Sequence, residues 1–192
     1  MVIQLPTSRT APATVSELGV CRTLRYVRLG LWWDPLPRRT RLGRRGIPAD
    51  LDASVLLFAD RQLIDAVYFG QLTSRDGAVR HHGDNLTGDG RGENESITVD
   101  LTRTRRRLTT AIFVVTSYHG HQLRTVRNAL CHLTDGTTTL ARLDLTDHGT
   151  HTGMVVAMLC RRADCWRLDA IGAPIAATHP VEAVPYLIEY LR

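Results

Sequence analysis

Residues 82–95 have the sequence His82-Gly83-Asp84-Asn85-Leu86-Thr87-Gly88-Asp89-Gly90-Arg91-Gly92-Glu93-Asn94-Glu95. Glycine and asparagine, which tolerate tight or left-handed backbone geometry, alternate here with carboxylate side chains. The chain can therefore curl and direct several oxygen atoms at one point, and oxygen ligands on a flexible turn suit a hard cation such as calcium. A solvated hairpin loop whose Asp and Asn side chains cap their own backbone is the alternative interpretation.

The spacing within this loop differs from that of the helix-loop-helix calcium hand. Counted from Asp84, the third ligand position falls on Leu86, which has no side-chain oxygen. Counted from Asn85, the twelfth position falls on Ser96, where the calcium hand requires a bidentate Glu. The sequence therefore excludes a calcium hand.

Outside the loop, apolar residues alternate with a period of two in short segments separated by turn residues. In the first such segment, Val27, Leu29, Leu31 and Trp33 share one face. Strands are predicted at 24–33, 50–58, 63–72, 96–101, 108–118, 129–133, 138–145, 153–160 and 166–170. This spacing, without a run of alternating helices, predicts a mainly β fold: an antiparallel β-sandwich with short helices.

Two segments have a helical pattern instead. Residues 122–129 interrupt the strand pattern and predict a short helix. At the C-terminus, Val184, Leu187, Ile188 and Leu191 fall at i, i+3, i+4 and i+7, the spacing of one apolar helix face. We therefore expect a C-terminal amphipathic helix that closes the domain.

Asp50 and Asp52 lie at the start of a predicted strand that becomes apolar toward Phe58. Residues two apart on a strand point to the same face, so these two carboxylates can converge on the acidic loop. An isolated Asp-x-Asp pair has little specificity. Together with the loop, however, it supplies further carboxylates for a cation.

Residues 83–95 resemble the signature loop of the TerD family, the bacterial tellurium-resistance and stress-response domain. The segment Leu29-Gly30-Leu31-Trp32-Trp33-Asp34 is similar to the family's early Gly-Leu-Gly-Trp-Asp strand, and Asp50-Leu51-Asp52-Ala53-Ser54 is similar to its Asp-Leu-Asp-Ala-Ser. Later, Met154-Val155 and Ala170-Ile171-Gly172 resemble the Met-Val and Ala-Val-Gly segments that close the domain. The resemblance extends in the family's order from residue 24 to the end of the chain.

The resemblance implies a calcium-binding protein of tellurite resistance and general stress response. It would act as a non-enzymatic component of a larger assembly with other stress-response or tellurium-resistance proteins. The implied metal ligands are the two strand aspartates and the polar loop residues: Asp50, Asp52, Asp84, Asn85, Thr87, Asp89, Glu93 and Glu95.

Two positions of the loop depart from the family pattern. Arg91 stands where the pattern has Asp, and Asn94 stands where it has another acid. The affinity of a hard-cation site falls as its ligands lose negative charge. The sequence thus leaves open whether two, one or no calcium sites remain.

The chain of 192 residues is predicted to be a single domain at 21–192, preceded by a flexible segment at 1–20 and carrying an arginine-rich loop insertion at 38–48. Residues 1–18 lack the cationic start and apolar centre of a secretory signal. No apolar run approaches the ~20 residues of a membrane span. We therefore expect a soluble, cytoplasmic protein.

All 24 basic residues are arginine, and the formal net charge is +5, whereas members of the TerD family are typically acidic. Two clusters contain many of them: Arg38, Arg39, Arg41, Arg44, Arg45, and Arg103, Arg105, Arg106, Arg107. Such clusters can neutralise the phosphates of nucleic acid or of an anionic membrane, and a basic binding module with a degenerate metal site is the alternative function. Solvated loops are the simpler interpretation, because no aromatic residue is interleaved for stacking.

The sequence shows no pattern typical of an enzyme. It contains no Gly-x-Ser-x-Gly elbow and no phosphate-binding glycine-rich loop with Lys. The pairs His81-His82, His119-x-His121 and His148-x-x-His151 lack the spacing of known zinc motifs. We expect no catalysis, and metal-assisted hydrolysis by paired carboxylates remains the catalytic alternative.

Overall fold

The structure, a computed structural model, describes residues 3–4, 24–40, 43–88, 92–146, 149–163 and 165–191. Within these residues the chain forms thirteen β-strands, one α-helix and two short 3₁₀ turns. Their bounds are β1 Ile3–Gln4, β2 Tyr26–Asp34, β3 Leu36–Thr40, β4 Gly43–Ile47, β5 Leu51–Ala59, β6 Gln62–Val67, β7 Val79–His81, β8 Glu95–Asp100, β9 Thr110–Ser117, β10 Arg127–Thr134, β11 Thr139–Asp144, β12 Gly153–Arg162, β13 Cys165–Ile175 and α1 Pro180–Leu187, with 3₁₀ turns at Leu123–Thr125 and Ile188–Tyr190.

Two sheets form the body of the molecule. The first has six strands in the order β1-β11-β10-β2-β8-β7, and the second has five in the order β13-β12-β9-β5-β6. All neighbouring pairs are antiparallel except β1 and β11. The mainly β, antiparallel sandwich predicted from the sequence is confirmed.

The core lies between the two sheets. Strand β2 follows the predicted alternation, because Val27, Leu29, Leu31 and Trp33 are all buried in this core. Strands β5 and β9 are instead buried along almost their whole length. The reason is that α1 covers the outer face of the five-stranded sheet, so both faces of these strands are removed from water.

The C-terminal helix forms where it is predicted, with one correction to its apolar face. Leu187 and Leu191 are buried against the five-stranded sheet, but Ile188 is 46% exposed. The helix ends at Leu187 and continues as a 3₁₀ turn, which changes the angle between successive side chains and turns Ile188 outward. The described residues include no helix with the length and apolar character needed to cross a bilayer.

Several sequence-based boundaries differ from the structure. The segment 38–48, expected as a loop, lies largely in the β3–β4 hairpin, in which Arg38 pairs with Arg45 and Arg39 with Arg44. Arg41 lies outside the described residues. Within the segment expected to be flexible, Ile3–Gln4 pair with β11, and the rest of 1–20 lies outside the described residues.

Two local predictions were also inaccurate. The predicted strand at 63–72 ends at Val67, because Tyr68 and Gln71 exchange backbone hydrogen bonds across a tight turn. The helix expected at 122–129 is only the 3₁₀ turn Leu123–Thr125. Strand β7 has only three residues, which is too short for its alternation to be recognised in the sequence.

Candidate metal centre

Three aspartates form an acidic cluster at one end of the sandwich. Asp50 and Asp52 lie at the start of β5, and Asp84 lies between β7 and β8 in residues 82–94, called the acidic loop below. One carboxylate oxygen from each aspartate lies within 4.8 Å of the other two. The strand pair and the loop therefore converge at one point.

The two strand aspartates are buried and incompletely hydrogen-bonded. Asp50 is 4% exposed and Asp52 is 2% exposed. In the part of the chain that the structure describes, nothing donates a hydrogen bond to Asp50 Oδ1, Asp52 Oδ2, or the hydroxyl oxygens of Thr116 and Ser117 on the neighbouring strand β9. Burying a carboxylate oxygen without a partner is costly, and a bound cation would remove that cost.

Glu95 lies behind this cluster and is also buried. Its carboxylate accepts hydrogen bonds from the backbone N–H groups of Ala53 at 2.8 Å and Asn85 at 3.3 Å, and so connects β5 to the acidic loop. Nε2 of the buried His81 lies 3.4 Å from Glu95 Oε2. The Gly83 N–H donates to Nδ1 of His81 at 3.3 Å, and Nε2 makes no hydrogen bond to the described residues.

The electrostatics of the cluster favour an added positive charge. Burial, together with the nearby Glu95, Asp50 and Asp84 carboxylates, raises the pKa of Asp52 to about 8. Burial, together with Asp84, raises the pKa of Glu95 to about 9. Burial lowers the pKa of His81, so this imidazole is neutral and does not compensate the acids.

The side chains of Asn85 and Thr87 hold the loop in shape. Asn85 Oδ1 accepts hydrogen bonds from the backbone N–H groups of Thr87 at 3.1 Å and Gly88 at 3.0 Å, and from the Thr87 hydroxyl at 3.2 Å. This is an Asx-type turn. In these hydrogen bonds, the side-chain oxygens of Asn85 and Thr87, two predicted metal ligands, contact only other groups of the acidic loop.

Glu93 lies on the outer face of the six-stranded sheet. Its carboxylate forms an ion pair with Arg28 and lies 3.7 Å from Nε2 of His132. Gly30 provides the space: a Cβ atom at this position would come within 2.6 Å of Glu93 Oε1. This predicted ligand is thus engaged by cationic and imidazole groups of β2 and β10.

Asn94, where the family pattern has an acid, fastens the end of the acidic loop to β2. Its backbone N–H donates to the Leu31 carbonyl at 2.9 Å, and its Oδ1 accepts from the Trp33 N–H at 3.1 Å. The described hydrogen bonds of Asn94 thus join the acidic loop to the backbone of β2. Asp89, a predicted ligand, and Arg91, the other departure, lie outside the described residues.

Trp33 connects the two halves of the site, a role that the sequence analysis did not assign. Its indole N–H donates to the carbonyl of Ala49, directly before Asp50, at 2.5 Å. Gly88 of the acidic loop packs against the same ring, because a Cβ atom there would meet the indole at 2.5 Å. The family-like segment 29–34 contained the residue, but only the fold shows its two contacts.

An open cleft of about 540 Å³ adjoins the acidic cluster. Its walls are formed by Arg28, His82 and residues 83–86 and 93–96. Asp84 is exposed and lines this cleft, whereas Asp50 and Asp52 are buried and do not line it. A cation can therefore reach the cluster from solvent through the side of Asp84.

Comparison with known proteins identifies relatives of the whole domain. A family model described as the TerD domain matches residues 16–179. The chain is 39% identical over 166 residues to the tellurium resistance protein TerZ of Serratia marcescens, covering 83% of this chain and 85% of that protein. It is 30% identical over 187 residues to the stress response protein SCP2 of Bacillus subtilis, covering 90% and 92%.

The fold agrees with a solved structure. A Streptomyces coelicolor homologue of the telluride resistance protein TerD superposes with a TM-score of 0.74, covering 84% of this chain and 95% of that chain at 22% identity. The family model spans most of the chain, and TerZ matches over most of both sequences. The chain therefore belongs to the TerD domain family.

Proposed function

We propose that this chain binds a calcium ion at Asp50, Asp52 and Asp84. The observation that carries the proposal is the pair of buried carboxylate oxygens, on Asp50 and Asp52, that receive no hydrogen bond from the described residues. Neutral donors do not fill these positions, and a cation fits the charge and the oxygen-only chemistry of the cluster.

Calcium fits this donor set better than zinc or magnesium. Zinc prefers nitrogen and sulfur ligands, whereas the three ligand atoms that converge here are all carboxylate oxygens. Magnesium requires near-ideal octahedral geometry, whereas calcium accepts six to eight oxygens at variable angles. A bound ion would displace the proton of Glu95, whose carboxylate would then add negative charge behind the three aspartates, and loop carbonyls and water would complete the shell.

The bound ion would fasten the acidic loop to β5. Asp84 belongs to the loop and Asp50 and Asp52 to the strand, so an ion shared among them restricts the motion of one relative to the other. The names of relatives such as TerZ and SCP2 support a role in tellurium resistance and stress response. In this proposal the chain acts in the cytoplasm as a non-enzymatic, calcium-dependent component of an assembly with other Ter-related proteins.

The test is a calorimetric calcium titration of chelator-treated protein. Wild type should bind, and its melting temperature should rise with calcium, because a ligand of the native state stabilises that state. Asp52→Asn and Asp84→Asn should each remove most of the binding heat. Asp144→Asn is the matched control, since Asp144 is an exposed acid on β11 whose Oδ1 accepts a local hydrogen bond from Thr146.

Two results would overturn the proposal. If wild type binds no calcium, or if Asp84→Asn binds as well as Asp144→Asn does, the acidic cluster is not the site.

The proposal that the chain is not an enzyme has its own test, a screen of phosphoester and nucleotide substrates. If wild type turns over a substrate and the folded Asp84→Asn variant does not, the protein is an enzyme of metal-assisted hydrolysis and the non-enzymatic role is wrong.

A further inference from the structure

The end of the sandwich opposite the acidic cluster carries a concentrated group of arginines, called the arginine pole below. Three separate turns supply it: 74–77, the β8–β9 loop, and the β12–β13 turn. Its members are Arg75, Arg103, Arg105, Arg106, Arg107, Arg161 and Arg162. The three turns are in contact, because the Arg105 N–H donates to Asp76 Oδ2 and the Arg161 guanidinium donates to the Arg105 carbonyl.

Arg161 holds the β8–β9 loop in place. Its guanidinium donates to the Leu108 carbonyl at 2.9 Å, the Thr104 hydroxyl at 2.9 Å and the Arg105 carbonyl at 3.2 Å. The same guanidinium lies 4.5 Å above the ring of Trp166, in cation–π geometry. One arginine therefore fixes the backbone of a loop that carries four others.

Nearby carboxylates compensate the guanidinium groups of this loop only in part: Asp65 and Asp76 line the same small cavity as Arg105 and Arg107. Within the described ranges, Arg103, Arg105, Arg106 and Arg107 form no ion pair, and all four are exposed.

The carboxylates around the pole are engaged by backbone N–H groups and hydroxyls. Asp76 accepts from Ser74, Ala78 and Arg105, Asp65 accepts the Arg75 N–H, and Asp100 accepts from Thr102. Among the described residues, these three carboxylates offset only part of the charge of the seven arginines, and the excess positive charge is available to an external anion.

The acidic cluster and the arginine pole lie at opposite ends of β5. The strand starts beside Asp50, and its other end pairs Phe58 with Thr110, next to the β8–β9 loop. Nine residues of extended strand separate the ends by roughly 25–30 Å. A polyanion would be repelled at one end and attracted at the other, which fixes the orientation in which the molecule approaches it.

We propose that the arginine pole binds the phosphate backbone of double-stranded nucleic acid. Guanidinium groups match phosphate oxygens through paired N–H donors, and the pole presents several of them on a loop whose backbone Arg161 holds. Single strands require exposed aromatic platforms, and an anionic membrane favours apolar residues for insertion. Neither kind of side chain is among the exposed residues described in the three turns. The contacts reach phosphates without reading bases, so binding is independent of sequence.

The test is fluorescence anisotropy of a labelled mixed-sequence DNA duplex, titrated with the protein at several salt concentrations. Wild type should bind with a Kd on the order of 1–100 μM near physiological salt and more tightly below it. Arg105→Gln, Arg106→Gln and Arg107→Gln combined should weaken binding at least tenfold. Because each lost phosphate contact removes about 0.9 from the slope of log K against log salt, the slope should flatten by roughly 2 to 3.

The control removes the same charge from another surface. Arg124→Gln, Arg127→Gln and Arg142→Gln combined change exposed arginines outside the pole and should leave the salt slope unchanged. Equal loss of affinity in both triple variants would overturn the proposal in favour of a net-charge effect. Stronger binding to the single strand, or to vesicles containing phosphatidylserine, than to the duplex would also overturn it.

The measurement is made in chelator, without calcium. Its result is therefore independent of the proposed metal site, and either proposal can fail alone.

Discussion

Glu95 accepts a hydrogen bond from the backbone of Ala53, the residue next to Asp52, so two buried carboxyl groups share one corner of the core. Burial, with repulsion from neighbouring carboxylates, raises the pKa of Asp52 to about 8 and that of Glu95 to about 9; the main neighbour is Glu95 for Asp52 and Asp84 for Glu95. The neutral His81 beside Glu95 does not relieve this repulsion. The metal-free protein therefore holds protons that a bound cation would displace.

This relationship predicts how stability depends on pH. The ordinary pKa values of these groups are 3.8 and 4.5, so between about pH 4 and about pH 9 the folded protein holds protons that the unfolded chain releases. The free energy of unfolding of chelated protein should then fall with rising pH, by up to about 1.4 kcal/mol per pH unit for each proton held. Urea denaturation across this range measures it. Stability that rises through the window would contradict the assignment.

Saturating calcium should reverse this trend. The ion binds the deprotonated carboxylates, so its affinity increases with pH and offsets the loss of stability. Calcium titrations at pH 6 and pH 8 provide the comparison, with tighter binding expected at the higher pH.

Asp52→Asn should stabilise the metal-free protein and abolish its response to calcium. The amide is close in shape to the carboxyl group but carries no charge, so above pH 8 we expect a gain of about 1–3 kcal/mol in the free energy of unfolding. Denaturant melts of both variants in chelator measure the gain. A loss of stability at high pH would show that Asp52 contributes as a charged group to the apo fold.

Gly88→Ala should disturb the site through Trp33. Gly88 has a φ of +75°, and an added Cβ would meet the indole at 2.5 Å. We expect a cost of about 2–4 kcal/mol and weaker calcium binding, since the same indole holds the carbonyl before Asp50. Gly92→Ala separates the two causes. Its φ is +94°, but nothing lies within 4 Å of the added Cβ, so it should show the backbone cost alone.

Glu93→Gln distinguishes the ion pair from the ligand role implied by the family resemblance. The Glu93 carboxylate is engaged by Arg28 and His132, so its loss should cost less than about 1 kcal/mol of stability and change calcium affinity much less than Asp84→Asn does. Calorimetry of the two variants side by side gives the comparison. Equal losses of affinity would return Glu93 to the set of metal ligands.

Arg161→Lys should weaken duplex binding without changing the net charge. The lysine ammonium cannot reproduce the three-point contact with the β8–β9 loop or the planar stacking on Trp166. We expect the Kd to rise about three- to tenfold, with hydrogen exchange of residues 104–108 accelerated. Unchanged exchange in that loop would show that Arg161 does not position it.

The local pattern of the chain was enough to predict the sandwich. Strand β2 alternates because one face meets the core and the other does not, and that alternation is visible in the residue order. Strand β9 is buried throughout and apolar over its central residues because α1 covers its second face, so its length but not its pairing could be inferred. Short strands such as β7 and the 3₁₀ turns carry too few residues for a period to appear.

Part of the site was also predictable. Asp50 and Asp52 were expected to share a strand face that can converge on the acidic loop, and Asp84 of that loop lies beside them in the structure. The different surroundings of the Glu93 and Glu95 side chains, two residues apart, were not predictable. One lies on the sheet surface with Arg28 and the other is buried under the loop with Ala53, because the chain passes from the acidic loop into β8 between them.

The sequence by itself therefore determined the class of fold, the segments that carry the carboxylates and the abundance of arginine. Only the tertiary structure decided which carboxylate oxygens receive no hydrogen bond from the described residues and where the arginines gather. The physical reason is that these properties depend on contacts between distant segments, such as Asp52 with Asp84 and Arg161 with Arg105. Local periodicity sets the face on which a side chain lies, whereas the packing of the two sheets sets what it meets there.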